Sequence, residues 1–156
     1  MLEALPYGRA SDTLAMIEIV NRQRRRKINT RRCREFGERA LRTIRKDKPD
    51  VAIVFVSDEA IKKLNRKYRG KNYATDVLSF PTRAEPFEAQ HRKYLGDVLI
   101  SVERAAAQAK QNGLSFAGEI EQLILHGLLH LCGYDHEKDD GVMNRLELKL
   151  RKRLGI

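Results

Sequence analysis

The sequence predicts an α+β fold, a small mixed sheet of about four strands flanked by about five helices. Apolar positions alternate in some segments and recur at three and four in others. Helical and strand patterns mix without strict βαβ alternation near the C-terminal end, and no repeat, linker or low-complexity tract divides the chain. With 156 residues, 42% hydrophobic and 33% charged, a single soluble domain over residues 1–156 suffices, large enough to bury roughly two-thirds of its unfolded surface.

Residues 1–13 carry no periodic pattern and read as a loose terminus. Met16-Ile-Glu-Ile-Val20 alternates with β-branched residues and reads as a strand running on toward Arg24. Asn29 or Thr30 can cap a helix whose Cys33, Phe36, Ala40, Leu41 and Ile44 form one apolar face, ended by Pro49-Asp50. Val51 to Val56 is a continuous apolar run, hence a buried strand, and Ser57-Asp-Glu begins the next helix with a hydroxyl cap and an acidic first turn. That helix turns Ile61 and Leu64 inward and ends near Arg69-Gly70.

Val77 to Phe80, stopped by Pro81, is a short strand, followed by a polar loop from Thr82 to Lys93 that holds His91. A lone loop histidine among Gln, Arg and Lys is usually just solvated. Gly96 to Ile100 is another strand, and Ser101 caps an alanine-rich helix that stops at Asn112-Gly113. Ser115 opens an apolar helix from about Phe116. A last helix, from about Asp139 to Leu154, sets Val142, Met143, Leu146, Leu150 and Leu154 on one side.

The chemistry concentrates in His126-Gly-Leu-Leu-His130-Leu-Cys-Gly133-Tyr-Asp135-His136. Four residues apart on a helix, His126 and His130 project from one face. Gly133 can take a left-handed conformation that ends the helix and returns His136 toward the pair. Three of the four histidines thus converge. Three imidazoles without an obvious fourth ligand describe one Zn2+ ion with a position left for water, the arrangement of catalytic rather than structural zinc. The spacing is also that of proteases that carry HExxH, but Gly127 stands where their glutamate base would be. Cys132, two residues past His130, points about 200° away and reads as packing. Cys33 reads as a small core residue.

HGLLHLCGYDH resembles the HGxLHLxGYDH signature of the bacterial YbeY family, metal-dependent single-strand-specific endoribonucleases that mature ribosomal RNA. Leu64-Asn65, Tyr68-Arg69-Gly70-Lys71, Thr75-Asp76-Val77-Leu78-Ser79-Phe80-Pro81 and Leu95-Gly96-Asp97-Val98 extend the likeness from about Val51 to the end. Tyr73-Ala74 departs from it, where members often carry Lys-Pro. The resemblance implies a zincin-like fold and maturation of precursor small-subunit ribosomal RNA near its 3′ end. It also implies work beside ribosomal proteins and an assembly GTPase.

Candidate catalytic groups follow. Arg69 falls where the family has an arginine important for activity, and its planar fork could hold a phosphate bidentately; an ion pair near a helix end is the plainer reading. Asp135 could orient a histidine by accepting its ring N–H. Asp97 could do the same or act as base, or could simply pair at a strand end, and Asp76 reads as a turn residue. Two other readings stay open, a zinc peptidase or amidase and a non-catalytic RNA-binding assembly factor.

The net charge is +10, and it is uneven. Arg22 to Lys46 holds twelve Lys or Arg and two Glu, so this one segment carries the whole excess. Such a block suits the phosphate backbone of single-stranded RNA. Two cysteines, no apolar run of membrane-spanning length and no signal-like N-terminus lead to the expectation of a cytoplasmic protein away from membranes.

Overall fold

The computed structural model describes residues 16–82 and 93–156. The expectations for residues 1–13 and for His91 lie outside them. In chain order the elements are β1 (Ile17–Asn21), α1 (Thr30–Ile44), β2 (Asp50–Val56), α2 (Asp58–Arg69), β3 (Val77–Pro81), β4 (Tyr94–Ser101), α3 (Val102–Asn112), α4 (Phe116–Leu131) and α5 (Val142–Leu154). The strands form one sheet in the order β1-β2-β4-β3. β1, β2 and β4 run parallel, and β3 closes the far edge antiparallel to β4. The architecture is the mixed α+β arrangement that the sequence predicts.

β2 is buried at all seven positions, which explains its unbroken apolar run: a central strand with both faces covered has no polar side. On one face Ile17, Val51, Ile53, Phe55, Val98 and Ile100 pack with α1, α4 and α5 in the main core. On the other, Val54, Val56, Leu78 and Leu99 pack around Ile61 of α2. β1 stops at Asn21 rather than running toward Arg24. There the Asn21 and Gln23 side chains bond to one another at 2.8 Å, and Gln23 also donates to the Arg26 carbonyl at 2.8 Å, folding the chain into a turn. Asn29 caps α1 through the Arg32 N–H at 3.0 Å.

α5 begins at Val142, three residues later than its sequence pattern suggests. Asp140 and Gly141 have φ of 52° and 86°, which excludes them from a helix. Gly141 is the cap, and the Asp139 carboxylate before it accepts from the Met143 N–H at 2.9 Å. The inward stripe of α5 is Met143, Glu147 and Leu150. Val142, expected on that side, is 45% exposed.

The element that positions the site is α4, which lies flat on β4 beside β3. A Cβ at Gly127 would sit 2.3 Å from Cγ1 of the fully buried Val98, so this close approach requires glycine. The Ser79 hydroxyl donates to the Gly127 carbonyl at 3.1 Å and ties the helix to the edge strand. Gly127→Ala is therefore expected to overpack the interface and cost about 1–3 kcal/mol. Urea unfolding measures the loss, and adding Val98→Ala is expected to recover part of it.

Candidate metal centre

α4 is terminated by hydrogen bonds that also return the chain to it. Leu131 is its last residue and Cys132 its cap. The Tyr134 N–H reaches the Leu129 carbonyl at 3.1 Å, and the Gly133 N–H reaches that of His130 at 3.0 Å, the paired bonds of a Schellman motif. Gly133 takes φ of 95°, as its spacing predicts. Tyr134 packs back onto the core, and His136 returns over the helix.

Nε2 of His126 and Nε2 of His130 are 3.1 Å apart, and Nδ1 of His136 is 3.2 Å from Nε2 of His130. One ring nitrogen from each of the three lies within 4.8 Å of the others. Two nitrogens on one tetrahedral zinc ion sit about 3.3 Å apart, so the donor set fits a single divalent ion. Among the described residues no fourth His, Cys, Asp or Glu joins the group. Burial and the neighbouring imidazoles hold His130 below its ordinary pKa, keeping it neutral, the form that ligates.

The group that orients a ligand comes from α5. Nδ1 of His126 is 3.0 Å from Oε2 of Glu147, which leaves Nε2 facing the other two rings. Nη2 of Arg151 donates to Oε1 of Glu147 at 2.8 Å. Burial alone would raise the Glu147 carboxyl, but the bonds from His126 and Arg151 outweigh it and lower the pKa below its ordinary value. Glu147 is thus a buried anion, 5% exposed, that fixes the ring orientation and raises its basicity. It was absent from the sequence candidates, although a signal existed: Glu147 lies four residues after Met143 and three before Leu150, a charge on the apolar stripe.

The imidazoles open into a cleft of about 790 Å³, whose walls include Arg69, Lys71, Tyr73, Asp76, Ser79 and Asp135. Arg69 ends α2, where Gly70 caps the helix with φ of 68°. It is exposed and makes no ion pair or hydrogen bond among the described residues. The loop beyond is held by Asn65, buried at 1% exposure, whose Nδ2 donates to the Tyr73 carbonyl at 2.9 Å. The Tyr73 departure from the family pattern therefore falls on the cleft wall.

Asp135 lines the cleft, but its carboxylate accepts from the Glu137 N–H at 3.0 Å and pairs with Lys138 at 3.9 Å. For His126 that ring N–H goes to Glu147. Asp97 sits on β4 between Ala52 and Phe80 and accepts a hydrogen bond from the Tyr94 hydroxyl. Its neighbour Val98 faces α4, so strand alternation turns Asp97 to the other face of the sheet, and it is not among the residues of the cleft wall. Asp76 accepts from the Val77 N–H at 2.8 Å, as a turn residue does. Cys33 is in the core at 6% exposure, and Cys132 lies beside Arg45.

Loss of the Glu147 anion loosens a ligand without removing it. Glu147→Gln is expected to weaken metal affinity about 10–100-fold, measured by competition against a chromophoric chelator. For His130 the folded-state pKa is the lower one, so the unfolded chain takes up its proton first as pH falls below about 6.5. The urea midpoint of metal-free protein is expected to drop between about pH 7 and 5, with a smaller drop in His130→Asn.

Comparison with known proteins places this architecture. A family model described as Endoribonuclease YbeY matches residues 18–155. An Endoribonuclease YbeY of Geobacter metallireducens is 38% identical over 141 residues, which span 90% of this chain and 94% of that protein. One from Alkaliphilus metalliredigens is 53% identical over 89 residues, 56% of this chain and 57% of that one. The solution structure of TM1509 from Thermotoga maritima aligns with a TM-score of 0.59 at 26% identity, covering 89% of both chains. The match over nearly the whole length, together with the three converging imidazoles, shows that this chain belongs to the YbeY endoribonuclease family.

Proposed function

We propose that the chain is a zinc-dependent endoribonuclease that cuts single-stranded RNA during ribosomal RNA processing. The observation that carries this reading is the cleft itself, in which three imidazoles face a wall bearing Arg69 and Lys71. His126, His130 and His136 would hold a divalent ion, which would supply Lewis-acid polarisation of a phosphoryl oxygen and acidify a water. The chain's own contribution is positioning and charge. Arg69 can grip the non-bridging phosphate oxygens as negative charge develops on them, and Lys71 adds a second, point-like cation.

Single-stranded substrate suits the walls. Tyr68 and Tyr73 are 44% and 53% exposed, and both line the cleft. Unpaired bases stack on such rings, whereas a duplex hides their faces. A peptidase reading lacks support at its decisive position, since a side chain at 127 would meet Val98 on β4 rather than a substrate. An assembly factor with purely structural zinc would want a fourth protein ligand, and none joins the cluster among the described residues.

The finer reading follows the family: precursor small-subunit RNA cut near its 3′ end, in the cytoplasm, beside ribosomal proteins and an assembly GTPase. No helix among the described residues is long and apolar enough to cross a membrane. Zinc-loaded protein is expected to cut single-stranded RNA and to leave peptides intact. Arg69→Ala and Arg69→Lys are expected to lose about 10²-fold or more in turnover while still binding zinc; His126→Ala loses both. Near-normal cleavage by Arg69→Lys would remove the bidentate role.

A further inference from the structure

The basic block lies apart from the cleft. None of the residues between Arg22 and Lys46 lines the cleft walls. Twelve cations stand in that span, and among the described residues only Arg31, Arg32 and Arg45 have acidic partners. Arg22, Arg24, Arg25, Lys27, Arg34 and Arg42 are all exposed and lack one. A protein gains nothing for its core from this density of like charge, which repels itself.

Their arrangement has a direction. α1 and α4 lie side by side, with Arg32 bonded to Glu121 at 2.6 Å near their starts and Arg45 beside Cys132 at their ends. The guanidinium of Arg26 stacks 4.6 Å from the centre of the Phe116 ring, so the Arg22–Lys27 cluster marks the N-terminal end of α4. The ligands mark its other end. Phe116 to His126 and His130 is ten and fourteen residues, about 15 and 21 Å of helix. On α1, which runs alongside α4 between these ends, Arg42 points away from the buried Cys33, Phe36 and Ala40 and Arg34 flanks that face, both exposed.

We propose that the outward face of α1 and the preceding 22–27 segment form a second RNA surface, a phosphate track about 20 Å long that holds the strand leading away from the metal cleft. This rests on the ribonuclease reading and adds where the substrate beyond the scissile bond is carried. Exposed arginines and lysines without partners meet phosphates as point charges and read no sequence. With a rise of about 3.4 Å per stacked nucleotide, a strand needs roughly six nucleotides beyond the cut before it can touch the far cluster. Shorter RNA uses the cleft alone.

The test measures, by stopped-flow fluorescence before the first turnover, binding of single strands of about four, eight and sixteen nucleotides to zinc-loaded protein, and separately the cleavage of RNA. In the parent, affinity is expected to rise at least tenfold from the shortest to the longest strand. The variant Arg24→Gln/Arg25→Gln/Arg34→Gln/Arg42→Gln is expected to lose that rise, with a log–log salt slope flatter by about 0.7 per lost contact. The matching Arg→Lys set is expected to keep it, which separates charge from folding defects. A rise that survives the Gln variant overturns the track, as does equal weakening on the shortest strand, or preferential capture of anionic phospholipid vesicles over RNA. If the parent binds with the expected length dependence but cuts no RNA, the nuclease reading fails and the track stands.

Discussion

The close contact between α4 and β4 is the constraint on which the site depends. Gly127 lets the helix backbone settle against Val98, and Ser79 fastens it to the edge strand. With that helix fixed, His126 and His130 present their nitrogens at a set depth above the sheet edge. A bulkier residue at 127 would lift the helix and carry both imidazoles away from the β3 side of the cleft. The same glycine accounts for the chemistry: the position that supplies a general base in HExxH helices is occupied here by packing.

The convergence of His126, His130 and His136 was legible because it is local. A four-residue interval on an apolar helix, a glycine and a third histidine need only helical geometry to be read, and the hydrogen bonds to the Leu129 and His130 carbonyls bear that geometry out. The element order was legible for the same reason, since caps and periodicity are short-range signals. Strand order was not, because β4 inserts between β2 and β3 through long-range pairing that no local pattern encodes. Asp97 illustrates the gap: its segment matched the family, yet which face of the sheet it occupies depends on the register of β4 against α4. Glu147 illustrates it differently. Its charge on an apolar stripe was visible, but its partner lies 21 positions earlier, and only the docking of α5 reveals the pair.

Two electrostatic regimes coexist in the molecule. Around the ligands, charge is buried and paired: Glu147 sits between His126 and Arg151, in surroundings where an unpaired anion would be costly. On the cleft wall and along α1 the cations are exposed and mostly unpaired, so they interact with solvent and polyanions and are screened by salt. The first regime sets the geometry of the histidine cluster. The second leaves its cations open to any polyanion that reaches the surface.

The Glu147 carboxylate ties the site to the docking of α5. Met143 and Leu150 of α5 sit in the core, and the same helix brings Glu147 to His126. A chain with α5 undocked would hold all three rings yet lack the orienting anion. The geometry of the histidine cluster is therefore coupled to the docking of α5, and whatever loosens that helix also frees the His126 ring.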